Sequence, residues 1–104
     1  RGKKISKKSI KMNIKILTPE FVIFEGEVES VLLPGKSGQF QIYKNHAAIV
    51  SALVGGKVKI YTDKINGSFE KYLTKETEAK SAYSYEIKSG VLEFNNDKGI
   101  ILCE

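Results

Sequence analysis

The sequence holds one cysteine and one histidine among 104 residues, and no apolar run approaches the ~18 residues that a membrane-spanning helix requires. Cys103 has no partner for an intramolecular disulfide, and no secretory leader precedes the first apolar run, which points to a reducing compartment. A single thiol in an apolar run reads as a small buried strand residue. One Cys and one His far apart in the chain leave no zinc-ligand spacing, and no metal or other cofactor is expected. What remains is a soluble or peripheral chain with room for one domain, and its 41% apolar content suffices for one core.

Acidic residues are missing from one stretch. Residues 1–11, RGKKISKKSIK, contain six of the 17 basic residues and none of the 12 acidic ones. The formal charge of +5 belongs to this segment, and residues 12–104 are close to neutral. We read 1–11 as a basic disordered arm or an expression-derived tail, and 12–104 as a single β-sandwich domain. Near-neutrality argues against a nucleic-acid partner, because non-specific affinity rests on neutralising phosphates.

Catalytic groups are also scarce. His46 is the only imidazole, and although Ser37 and Ser51 are near it in sequence, nothing brings a carboxylate to orient it. A lone loop histidine reads as a structural or interface hydrogen-bonder, and the chain as a non-enzyme. LPGKSGQ has the glycines and lysine of a phosphate loop, yet it lacks the GK[ST] ending and a helix after it. It reads as turns. Glu25, Glu27 and Glu29 alternate along one strand face and read as solvated carboxylates, not an acid-base pair.

What the chain has in quantity is short β-type runs, separated by turn signals about every 8 to 12 residues, the texture of an all-β sandwich or barrel. NIKIL alternates and is broken by Thr18-Pro19-Glu20. FVIFEG and EVESVLL come next, joined at Gly26, and a turn is expected at Pro34-Gly35. QFQI places Phe40 and Ile42 on one face and Gln39 and Gln41 on the other. AAIVSAL is a continuous apolar run, and Gly55-Gly56 is expected to join it in a hairpin to KVKIYT. Asn66-Gly67 is the strongest local hairpin signal, with SFEKYL as the returning strand. TKETEAKSA, with Glu76 and Lys80 four apart, reads as a loop or frayed turn. YSYEIKS, VLEFN and GIILCE complete the set, with turns at Ser89-Gly90 and Asn95-Asn96-Asp97.

In order along the chain, ILTPE, EGEVESVLLPGKSGQFQI, HAAIVSAL with GGKVKI, and SGVLEFNN with IILCE resemble the N-terminal domain of the epsilon subunit of F-type ATP synthases. The resemblance implies a flattened β-sandwich of about ten short strands. It implies a non-catalytic rotor part at the foot of the central stalk of a proton-translocating synthase, coupling ion translocation to ATP synthesis. The implied partners are the gamma subunit and the polar loops of the c-subunit ring. Gly35, Lys36, Ser37, Gly38 and Gln39 match the segment that touches the c-ring, while Thr18, His46 and Ser51 match positions that face gamma. The implied location is peripheral, on the cytoplasmic face of a bacterial inner membrane, without direct insertion.

The chain departs from that pattern in places. Gln39 stands where the family has an acidic residue, and Lys44-Asn45 where it has Pro-Gly, so Asn45 is expected to supply a positive φ. Residues 61–84 are longer than the family's hairpin. No helical pair comes after the last strand in this sequence, so autoinhibition of hydrolysis is not expected. The strand over 38–43 is expected to self-associate when partners are absent. The alternative function is a free-standing β-sandwich module that binds nucleic acid or anionic surfaces through the basic tail and the tyrosines.

Overall fold

A computed structural model describes residues 11–79 and 81–104. The arm read over 1–11 lies, but for Lys11, outside the described residues, as does Lys80. The strands are β1 (Met12–Leu17), β2 (Val22–Val28), β3 (Ser30–Gly35), β4 (Gly38–Tyr43), β5 (Ile49–Leu53), β6 (Gly56–Tyr61), β7 (Thr74–Lys75), β8 (Ala82–Ile87), β9 (Gly90–Asn95) and β10 (Lys98–Cys103). A single 3-10 turn, Gly67–Phe69, interrupts them.

These strands form one continuous sheet in the order β2-β1-β10-β9-β5-β3-β6-β8-β7, with β4 on the other edge of β3. Every pairing is antiparallel except β1 with β10. β5 and β3 meet only at Leu53 and Gly35, and the sheet folds over at that joint. One layer is β2-β1-β10-β9-β5 and the other β4-β3-β6-β8-β7. Alternation then does what the runs predicted: Ile14, Ile16, Phe24, Leu92 and Ile101 of the first layer share one buried cluster with Val31, Leu33, Ile42, Val58 and Ile60 of the second. The fold class expected from the sequence, an all-β sandwich of ten short strands, is the one observed. Cys103 is a buried free thiol in β10; burial raises its pKa, and its sulfur donates to the Leu17 carbonyl at 3.5 Å.

Four expected turns come out differently. β2 runs unbroken through Gly26, which pairs with Ile14 of β1, and the Phe24 ring lies over the glycine, 3.1 Å from where a Cβ would stand. β3 continues through Pro34-Gly35, and the hairpin turns at Lys36-Ser37, since Gly35 pairs with Gly38. Proline is tolerated there because its nitrogen faces away from β4, on the side where its carbonyl accepts from the Val54 N–H at 2.9 Å. β5 and β6 are not a hairpin; both lie along the same edge of β3, at Gly35 and at Ser30–Leu32 respectively. The corner between them needs Gly56 at φ +155, with an added Cβ only 3.0 Å from the Pro34 Cβ.

Asn66-Gly67 is not a hairpin either. Asn66 sits at φ −62 as the cap of the 3-10 turn, its side-chain oxygen accepting from the Ser68 N–H at 2.9 Å. SFEKYL folds inward instead of returning as a strand. Its Phe69 meets Phe24 edge to face at 5.7 Å, and Leu73 is buried. The two-residue turn with both residues at positive φ is Asn96-Asp97, at 51° and 61°, between β9 and β10.

Candidate interaction site

The residues singled out from the sequence fall in three places. Lys36, Ser37, Gly38 and Gln39 are exposed at the tip of the β3–β4 hairpin, and Gly35 is buried at its base. An added Cβ at Gly35 would stand 2.9 Å from the Gly38 carbonyl oxygen, so the tip can close only on glycine. Thr18 forms the turn after β1, where its hydroxyl accepts from the Phe21 N–H at 3.0 Å. It lies at the same end of the sandwich as the hairpin tip, because the row next to Leu17, Leu102 and Val91 contains Leu53, which pairs with both Gly90 and Gly35.

His46 lies at the opposite end of β9, its ring edge to face with Phe94 at 6.1 Å and its Nδ1 2.7 Å from the Ala47 carbonyl. Ser51 pairs with buried Leu92, which puts its half-buried hydroxyl on the inward side of β5. The structure thus brings Thr18 to the hairpin end and leaves His46 apart from both. Among the described residues no group of three or more His, Cys, Asp or Glu side chains could hold a metal.

The loop that carries His46 is anchored by one carboxylate. Asp97, in the β9–β10 turn, accepts from Lys44 Nζ at 2.8 Å and from the Asn45 N–H at 2.6 Å, and Asn45 takes the expected positive φ, 73°. The Lys44 and Asn45 bonds hold the Asp97 carboxyl below the ordinary aspartate range. A depressed pKa means that the folded state prefers the ionised form, so this stabilisation is complete above the unfolded aspartate value near ~4 and is lost as pH falls through the folded one. Asp97→Asn should lower the thermal midpoint at about pH 6.5, and the gap from the wild type should be smaller at about pH 3, as followed by circular dichroism. Parallel curves at both pH values would show that the anchor is not ionic.

Beyond those residues, the outward face of the first layer is apolar where it should meet water. The register sets Val22, Leu17, Leu102, Val91 and Ala52 side by side across five strands. The next row is Glu25, Lys15, Ile100, Glu93 and Val50, and the one after it is polar, with Glu27, Asn13, Lys98 and Asn95. Val50 is 73% exposed, Leu102 50% and Val22 43%. Two shallow depressions, of about 410 and 520 Å3, lie along this face beside Leu102 and beside Val50. The second layer is different: its outward Lys57 and Lys59 pair with Glu76 at 3.8 and 3.9 Å. Ser84 donates to Glu76 at 2.6 Å, and that bond, with the two lysines, depresses the Glu76 pKa.

Residues 11–74 match the family described as ATP synthase, Delta/Epsilon chain, beta-sandwich domain. The chain belongs to this family. The ATP synthase epsilon chain of Chlorobium limicola is 36% identical over 99 residues, which cover 95% of this chain and 93% of that one. The epsilon chain of Clostridium novyi is 34% identical over 88% of this chain and 58% of its own length. Members of the epsilon family are named as a subunit of the synthase and not as a catalyst. Among solved structures, a chain of the Tetrahymena thermophila mitochondrial ATP synthase central stalk and c-ring superposes with a TM-score of 0.60 at 12% identity, covering 89% of this chain and 63% of that one. One from the Euglena gracilis mitochondrial synthase, in an assembly of OSCP, F1 and c-ring, gives 0.67 at 14%, covering 89% and 50%. At such identities the likeness is one of fold. No described helix is long and apolar enough to cross a membrane.

The apolar outward row of this epsilon-type sandwich is what sequence reasoning missed, and a signal for it exists. AAIVSAL and GIILCE do not alternate. A strand apolar on both sides is covered on both sides, and the fold covers only one.

Proposed function

We propose that this chain is a rotor subunit of a proton-translocating F-type ATP synthase, fixing gamma to the c-ring so that ion translocation drives ATP synthesis. The observation that carries this reading is the contiguous apolar row on the outward face of an epsilon-family sandwich, ending beside an exposed polar hairpin tip. On this reading gamma covers the outward face of β2-β1-β10-β9-β5, with Thr18 at its rim and His46 beyond its β5 edge, while the Ser51 hydroxyl, on the inward side of β5, faces away from that contact. The tip Lys36–Gln39, hinged on Gly35, meets the polar loops of the c-ring, and Gln39 makes that contact less charged. Neither contact asks for reactive groups; both ask for a rigid shape. The family match and the central-stalk and c-ring assemblies from which its fold neighbours come support it.

The test is size-exclusion chromatography with light scattering on the chain mixed with a catalytic head complex that lacks this subunit, from the same organism. Co-elution at one copy per gamma, persisting at about 0.15 M salt, is the expected result. Absence of a complex at micromolar concentrations would overturn the reading and favour the free-standing binding module.

A further inference from the structure

β4 is an edge strand that the fold leaves unprotected. It pairs with β3 alone, and its six residues, GQFQIY, include no charge and no proline. The two-residue loop Lys36-Ser37 settles which backbone groups are used. Its flanking residues Gly35 and Gly38 form the hydrogen-bonded pair, and alternation assigns Phe40 and Ile42 to β3 as well. The N–H and C=O groups of Gln39, Gln41 and Tyr43 therefore point along the free edge. The Tyr43 carbonyl accepts from the His46 N–H at 3.2 Å; the other five groups have no partner among the described residues.

The remaining edges differ. β2 carries Glu25 and Glu27, and its Glu27 carbonyl accepts from the Thr62 hydroxyl at 3.2 Å. β7 is two residues long, and β5 is five residues long, pairs with β9 along its whole length and meets β3 at Leu53.

We propose that the β4 edge pairs with the same edge of a second copy of this chain, in an antiparallel two-fold dimer centred on Gln41. In that register Gln41 exchanges both backbone bonds with its copy, and Gln39 exchanges both with Tyr43 on either side. Every free donor finds an acceptor, and the Tyr43 carbonyl uses its second lone pair. The side chains that meet across the axis are Gln with Gln and Gln with Tyr, so no like charges face each other. This self-complementarity of an uncharged edge selects a second copy over a foreign strand, for which the edge offers neither charge nor pocket. One strand's width of contact falls below the area of stable interfaces, so the dimer is weak and reversible, with a dissociation constant on the order of 10 to 1,000 μM. The outward face of the first layer takes no part in it, and the dimer stands or falls independently of the gamma contact.

Sedimentation velocity of the full chain over a series from about 5 to 500 μM tests the proposal. The wild type should show a reversible monomer-dimer equilibrium. Gln41→Lys and Gln41→Glu each place like charges across the axis and should raise the dissociation constant at least ~10-fold. An equimolar mixture of the two should restore association to within ~3-fold of wild type, because lysine then faces glutamate. Gln41 also donates to the Ser30 hydroxyl at 2.9 Å, so circular dichroism melts accompany each variant, and the mixing experiment reports pairing whatever the loss of that bond costs. A wild type that stays monomeric throughout, a Gln41→Lys chain that dimerises as well as wild type, or a mixture that stays monomeric would each overturn the proposal.

Discussion

A Leu102→Glu chain should fail to co-elute with the catalytic head that retains the wild type. Leu102 is half exposed on β10, the middle strand of the first layer, at the centre of the row that runs from Val22 to Ala52. In the free chain a glutamate there reaches water, and the cost to folding should be no more than ~0.5 kcal/mol. Under a docked partner the same carboxylate is buried among apolar side chains with nothing to pair it, and a central anchor is lost besides. Those two effects together predict at least ~100-fold weaker binding. Asn13→Glu, in the polar row of the same face, should change affinity by less than ~5-fold, as rim positions do. Equal retention of Leu102→Glu and wild type at matched concentrations would dismiss this face as the docking surface.

The second large effect belongs to Phe24. Its ring is almost fully buried, lies over Gly26, and receives the Phe69 edge from the 3-10 segment. Truncation to alanine removes the transfer energy of the ring and leaves a cavity that a sandwich closed on both sides cannot collapse around. Urea titration should show a loss of ~3–5 kcal/mol, a large share of the ~5–15 kcal/mol that holds a domain together. Hydrogen exchange should show residues 66–73 losing protection first, since Phe24 is where Phe69 seats. A loss under ~1 kcal/mol, or unchanged exchange in that segment, would mean that the segment is held by its own turn chemistry instead.

That segment also shows where sequence reading stops. Asn66-Gly67 has the residues of a type I′ turn, and Asn96-Asp97 is a less favourable pair for one, yet the second forms the turn. The difference lies in the residues C-terminal to each pair. Lys98–Cys103 can lie between β1 and β9 and bury Ile101, whereas SFEKYL finds a better use for Phe69 and Leu73 by folding onto Phe24. Turn propensity is worth about as much as a cap or a glycine, and burying two large apolar side chains is worth several times that. Gly55-Gly56 misleads for a related reason. Two glycines mark a reversal, but whether the strands either side pair with each other or with β3 depends on a partner about twenty residues upstream.

What the sequence determined by itself is every property that a short window can hold. Alternation in NIKIL, QFQI and KVKIYT placed Ile14, Ile16, Ile42, Val58 and Ile60 inward, because side chains alternate along a strand whatever its neighbours are. The lone Cys103 and His46 left no spacing for an intramolecular disulfide or a zinc site within these residues, and the ordered turns carried the family. The tertiary structure alone decided the parallel union of β1 with β10, the corner at Gly56, and the apolar row from Val22 to Ala52. Each of these joins residues far apart in the chain. A period of two tells a strand which face to bury, and only the completed sheet tells which of two apolar faces is left over for a partner.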